Sequence, residues 1–111
     1  MSFDVVATEP FERKLKRLTK KHKSLVKDLA VVIEELTKNP KLGTPIGKDC
    51  YKIRVAISSK GKGKSGGARM ITYLRIIKHT VFLMDIYDKS EQANISDKEL
   101  KQLIDILQQV K

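Results

Sequence analysis

Two cations, Lys52 and Arg54, stand two residues apart in the alternating segment from Tyr51 to Ile57. On an extended chain, side chains at i and i+2 share a face, so these two point together and away from Tyr51, Ile53, Val55 and Ile57. Arg69 enters the next β-rich segment just past a Lys/Gly/Ser tract and can approach them. Three converging cations repel one another unless an anion joins them, and guanidinium and ammonium donors suit phosphate oxygens. If helices cover the apolar side, the cations stand on the open face of a sheet, poised to grip a phosphodiester. Solvated charges on a sheet face are the plainer alternative.

The surroundings strengthen the phosphate reading. From Lys48 to Lys78 the chain also carries Lys60, Lys62, Lys64 and Arg75, and only Asp49 opposes them. Lys60, Lys62 and Lys64 alternate with small residues in the tract from Ser58 to Gly67, so they can follow a nucleic-acid backbone of variable shape. The bland reading is a flexible loop that is basic for solubility. Lys48, Lys60, Lys62, Lys64 and Arg75 are accordingly expected to contact RNA.

Other chemistries find less support. Gly61 to Gly66 satisfies G-x-G-x-x-G, but a strand follows where a phosphate-binding helix N-terminus would be required. The P-loop pattern fails because its first glycine would fall on Ser58. Cys50 is alone and reads as a small core residue, and no Cys/His spacing suits zinc, so neither metal nor cofactor is expected. His22, in a helix–helix break, and His79, at a strand turn, are expected at the surface without a catalytic role.

The composition agrees with a polyanionic target. Among 111 residues, 23 Lys and Arg face 13 Asp and Glu, a net charge of +10. Such an excess favours nucleic acid or an anionic membrane. The longest apolar run, Leu29 to Ile33, is far short of the roughly 20 residues of a spanning helix. No secretory signal is visible, and a cytoplasmic location is expected.

Residues 1–111 are expected to form one domain. Phe3 to Ala7 reads as a strand. Thr8 caps a basic amphipathic helix built on Phe11, Leu15 and Leu18, and Ser24 caps a second built on Leu25, Leu29, Ile33 and Leu36, ended by Asn39-Pro40. Lys41 to Asp49 reads as a loop. Strands follow over Tyr51–Ile57, Met70–Ile77 and Val81–Tyr87. Ser96 and Glu99 form a capping box, with Ile95 and Leu100 as its staple, before a helix striped by Leu100, Leu103, Ile104, Leu107 and Val110. The order is β-α-α-β-β-β-α: an α+β fold with a mainly antiparallel sheet, an N-terminal helical hairpin and a C-terminal helix.

Cys50-Tyr-Lys-Ile-Arg-Val55, the Lys60-Gly-Lys-Gly-Lys-Ser-Gly-Gly-Ala-Arg69 tract, Met70-Ile-Thr-Tyr-Leu74 and Phe82-Leu-Met-Asp-Ile-Tyr-Asp-Lys89 resemble the core of RelE/ParE-superfamily toxins, most closely the HigB-like branch. Asn39-Pro-Lys-Leu-Gly43 is similar to the family's link between second helix and sheet. The resemblance implies a RelE-like fold and a toxin that enters the ribosome and cleaves mRNA. It also implies neutralisation by a cognate antitoxin, for which the Lys-rich first helix and the last helix are candidate docking surfaces; the chain alone is expected to be a monomer. Lys52, Arg54 and Arg69 match the family's basic positions, and Lys89 falls where another cation is usual. A tyrosine that some relatives use near the last helix corresponds to Ile95 here, for which Tyr87 is the candidate substitute.

Metal-independent cleavage through the 2′-hydroxyl needs a base, charge stabilisation for the phosphorane and an acid. A free lysine, with a pKa of about 10.4, is protonated and a poor base at neutral pH, and neighbouring cations lower that value by disfavouring its charged form. Lys52 is the expected base, Arg54 with Arg69 the phosphate clamp, and Lys89 or Tyr87 the acid. Two other readings stay open: a ParE-like toxin that binds DNA gyrase, and an RNA- or ribosome-binding module without chemistry.

Overall fold

Strand β1 (Asp4–Ala7) runs through Thr8 into helix α1 (Glu9–Lys21), and a break at His22 leads to α2 (Leu25–Lys38). In the computed structural model, which describes residues 2–61, 63 and 66–109, there follow β2 (Thr44–Gly47), β3 (Cys50–Val55), a 3-10 turn (Ser58–Lys60), β4 (Ala68–Arg75), β5 (Thr80–Asp88) and α3 (Asp97–Gln109). The five strands lie in the order β1-β5-β4-β3-β2, antiparallel except for β1 beside β5. The α+β architecture with a helical hairpin and a C-terminal helix is as expected from the sequence.

One element differs. The segment 41–49 contains β2, which pairs through Thr44↔Lys52, Pro45↔Tyr51 and Gly47↔Cys50. Its Pro and Gly read as loop signals, yet an edge strand tolerates a missing donor, and this one is bulged between Pro45 and Gly47. The turn itself was hidden because Lys48 and Asp49, not Asn and Gly, hold positive φ of 55° and 63°. The β4 strand also begins earlier than Met70, so Arg69 lies inside it, and Ile76 and Ile77 fall in the exposed turn.

The helices form for the expected reasons, with altered caps. Phe11 and Leu18 bury one face of α1, and Leu25, Leu29 and Leu36 one face of α2. Thr8 and Ser24 occupy the N-cap positions but cap nothing through their side chains. The Thr8 hydroxyl donates to the Leu83 carbonyl (2.8 Å) and the Ser24 hydroxyl to Asp28 (2.8 Å). The capping box of α3 is present: the Glu99 N–H donates to Ser96 Oγ (3.1 Å) and the Ser96 N–H to Glu99 Oε1 (3.4 Å). Ile95 and Leu100 join one apolar cluster, while Val110 lies outside the described residues.

Both faces of the sheet are covered. Under α1 and α2, Phe11, Leu18, Leu25 and Leu29 pack on Ile53, Val55, Met70, Leu83 and Ile86. On the opposite face, Leu100 and Ile104 of α3 pack on Cys50, Ile71, Tyr73, Met84 and Tyr87. No helix among the described residues is long and apolar enough to cross a membrane.

Candidate functional site

Strand register brings the cations together. Arg54 on β3 lies opposite Arg69 on β4, which lies opposite Tyr87 on β5. The adjoining row is Lys52, Ile71 and Asp85. Directly opposed residues share a face, so Lys52, Arg54, Arg69 and Tyr87 occupy neighbouring positions on the α3 side. The period-two pattern of 51–57 is thereby realised: Ile53 and Val55 sit under the helical hairpin while Lys52 and Arg54 point the other way. Gly43 lets the chain pass close behind this strand. Its φ is +101°, and a Cβ there would come 2.5 Å from the Lys52 carbonyl oxygen.

This face is not the open surface that the sequence suggests. The α3 helix packs across it, leaving Arg54 exposed, Lys52 half-buried, and Arg69 and Tyr87 each only 3% exposed. The reason is that Ile71, Tyr73 and Met84 give the same face an apolar half that must also be covered. Lys52 Nζ reaches the loop before α3, donating to Asn94 Oδ1 at 3.4 Å. Arg69 Nη1 donates to the Ala68 carbonyl at 3.1 Å.

The site's electrostatics follow from this burial. Desolvation lowers the Arg69 pKa, the Arg54 charge lowers it further, and Tyr87 acts in the opposite sense. Desolvation raises the Tyr87 pKa, with Asp85 and Glu99 adding to the rise and Arg69 opposing it. The phenol therefore keeps its proton at neutral pH. Tyr87 Oη is buried with no hydrogen-bond partner among the described residues. Asp85, 1% exposed, accepts from Lys14 Nζ (2.6 Å) and from the Ile86 N–H (2.9 Å).

The remaining predicted residues divide. Lys89 follows directly on β5, exposed, its N–H held by the Gly67 carbonyl (3.1 Å). Lys60, expected to contact RNA, forms an ion pair within the fold. Its Nζ lies 3.1 and 3.3 Å from the two oxygens of Asp88, and its side chain is largely covered. Arg75 and Lys48 do not join the cluster. Arg75 is six residues from Arg69 along β4, roughly 20 Å at strand rise. Lys48 sits in the β2–β3 turn at that same far end. Lys62 and Lys64 lie outside the described residues. His79 is exposed at the β4–β5 turn as expected, stacked on Phe3. His22 is not at the surface: it is buried, with Nε2 2.9 Å from Asp88 Oδ2.

Sequence reasoning passed over the two buried carboxylates. Burial alone would raise the Asp88 pKa, but bonds from Ser90, Lys60 and His22 outweigh it and hold the carboxyl below its usual range. The signal was available: Asp85 and Asp88 interrupt an otherwise apolar strand, and buried carboxylates require partners. Among the described residues no group of His, Cys, Asp and Glu is arranged to hold a metal ion. What the site offers is two guanidiniums, an ammonium and a protonated phenol on one face, a donor set for an anion.

A sequence model of the RelE toxin of RelE/RelB toxin–antitoxin systems matches residues 11–111. Among solved structures, the chain is similar to the isolated Escherichia coli RelE toxin, at 20% identity over 95% of this chain and 99% of that one, with a TM-score of 0.57. It is also similar to a mutant of that toxin in complex with an antitoxin RelBc peptide, at 20% identity over 86% and 97% of the two chains, with a TM-score of 0.58. The toxin–antitoxin complex RelBE2 from Mycobacterium tuberculosis matches at 15% identity over 79% and 92%, with a TM-score of 0.55.

Proposed function

The chain belongs to the RelE family of toxins from toxin–antitoxin systems, and from that premise we propose that it is a ribosome-dependent endoribonuclease that cuts messenger RNA without a metal ion. The carrying observation is the row Arg54–Arg69–Tyr87 with Lys52 beside it, on one face of three adjacent strands. Lys52 takes the proton of the 2′-hydroxyl as its oxygen attacks phosphorus. Arg54 and Arg69 hold the non-bridging oxygens of the phosphorane. Tyr87, kept protonated by its surroundings, supplies a proton to the departing 5′-oxygen. Lys89, at the end of the same strand, reaches the leaving side. The products are a 2′,3′-cyclic phosphate and a 5′-hydroxyl.

Half-buried groups cannot shape a flexible RNA alone, so the ribosome supplies the reactive geometry of the message. A cognate antitoxin neutralises the protein, and the likeness of the Lys52–Ala56 segment and the following Lys/Gly tract to HigB-like members supports that branch of the family. Lys52→Ala tests the chemistry: cleavage in translating extracts should fall about 10²- to 10⁴-fold while antitoxin binding persists. Cleavage at the unmodified rate would remove Lys52 from the mechanism. Free RNA cut as fast as ribosome-bound message would refute the dependence on ribosomes.

A further inference from the structure

We propose that Asn94 is a positioning residue for Lys52, holding the amine through an uncharged acceptor on a loop moored at buried Asp88. The inference rests on the nuclease reading, in which Lys52 takes the 2′-hydroxyl proton, and adds what fixes that group. Lys52 Nζ donates to Asn94 Oδ1 at 3.4 Å. Among the described residues no ion pair involves Lys52. The chemistry of its partner matters. A carboxylate in this place would favour the charged ammonium and retain the proton that a base has to shed. An amide oxygen accepts from the ammonium and from the neutral amine alike, so it fixes direction with a weaker bias toward charge. The nitrogen lone pair can then face the substrate while one N–H stays bonded to Asn94.

An exposed amide holds nothing unless its own backbone is fixed, and the loop is anchored on both sides of Asn94. Upstream, the Asp88 carboxylate accepts from the Ser90 N–H (2.9 Å) and hydroxyl (2.8 Å). The Asp88 carbonyl accepts from the N–H groups of Glu91 (3.0 Å) and Gln92 (3.1 Å). Gln92 Nε2 then donates to the Asn94 carbonyl at 2.9 Å. Asp88 is itself 1% exposed and is bonded to His22 and Lys60 from outside the loop. Lys21 of α1 reaches Glu91 at 3.3 Å. Downstream, Ile95 packs in the cluster beneath α3, and Ser96 enters the capping box. Asn94 therefore sits between two moorings, one on the helical hairpin and one on α3. The entropy of ordering it is lost on folding and not again when RNA arrives.

The test uses the full-length protein and message bound to purified ribosomes. Asn94→Ala should lower kcat about 10-fold, the rotamer freedom that one lysine regains, with KM little changed. Asn94→Asp retains the accepting oxygen and should recover most of the rate at high pH. Its carboxylate should also move the acidic limb of the pH–rate profile to higher pH. Arg54, Arg69, Tyr87 and Glu99 of α3 surround the same face and are common to all three proteins, so the difference in that limb belongs to residue 94. Pulsed acetylation read by mass spectrometry follows the Lys52 amine without any cleavage assay. Labelling of Lys52 should rise several-fold in Asn94→Ala, while that of Lys16, exposed on α1, stays constant. The proposal requires both Lys52 labelling and kcat to respond, and either one unchanged overturns it. A raised KM or an altered cleavage sequence at full kcat is one such result, and would make Asn94 a contact to the RNA itself. Asn94→Asp as slow as Asn94→Ala at every pH also overturns it. If the wild-type protein leaves ribosome-bound message uncut, the nuclease reading fails first, and labelling that still responds to Asn94 then reports a contact within the fold only.

Discussion

Arg54→Gln should stabilise the folded protein while disabling it. Arg54 lies directly across from Arg69, and the charge of Arg54 opposes the protonated state of the buried Arg69 guanidinium. Like charges directly opposed on a sheet cost about 0.2–1 kcal/mol, and the exposure of Arg54 places this pair in the lower half of that range. Removing the charge should therefore add roughly 0.5 kcal/mol, near 2 °C in melting temperature for a domain of this size. The same substitution takes away one donor to the phosphorane, which typically costs about 10²- to 10³-fold in rate. Urea unfolding of the purified variant reads the first quantity, and primer extension on message from a translating extract reads the second. The wild-type protein should also gain stability when inorganic phosphate is added, and the variant less so, because only the wild type has repulsion for an anion to relieve. A variant destabilised by more than about 1 kcal/mol would mean that Arg54 supports the fold. Full cleavage activity in a stably folded variant would mean that the clamp is elsewhere.

Other substitutions separate fold from chemistry. Tyr87→Phe removes a buried hydroxyl that has no hydrogen-bond partner among the described residues; stability should be unchanged or higher by about 1 kcal/mol, with cleavage down about 10²-fold or more. Equal activity would dismiss Tyr87 as the acid. Asp88→Ala deserts His22, Lys60 and Ser90 together and should cost about 3–5 kcal/mol in chemical denaturation. The folded Asp88 pKa lies below the unfolded value near 3.9, so its contribution is complete above that value and is lost as pH falls below it. Wild-type stability should thus decline more steeply than that of Asp88→Asn on going from about pH 5 to pH 3, and parallel curves would count against this role. Gly67→Ala sets a Cβ against the Val55 carbonyl. It should cost about 1–3 kcal/mol and displace Lys89, whose N–H is bonded to Gly67; a thermal melt matching wild type would show that the backbone yields freely.

The helices and the three central strands were legible because each has a local cause. Period-two alternation marks Tyr51 to Ile57, apolar residues three and four apart mark α1, α2 and α3, and Ser96 with Glu99 announces a helix start through bonds only three residues long. The same alternation correctly placed Lys52 and Arg54 on one face. The β2 strand was illegible since its Pro and Gly have loop propensities and its pairing is set by the partner strand. Lys60 looked like a free cation since its partner, Asp88, is 28 residues away, and His22 looked exposed since the carboxylate that buries it is 66 residues distant.

By itself, then, the sequence determined which side chains share a face and how strongly basic the chain is, because both follow from covalent spacing and composition. Only the tertiary structure decided which strands are neighbours, and hence that Arg54, Arg69 and Tyr87 stand in one row while Arg75 does not. It likewise decided that α3 buries part of that row and that α1 turns its charge to the far side. Those outcomes depend on which apolar surfaces exclude water against one another, a property of the whole chain that no local window contains.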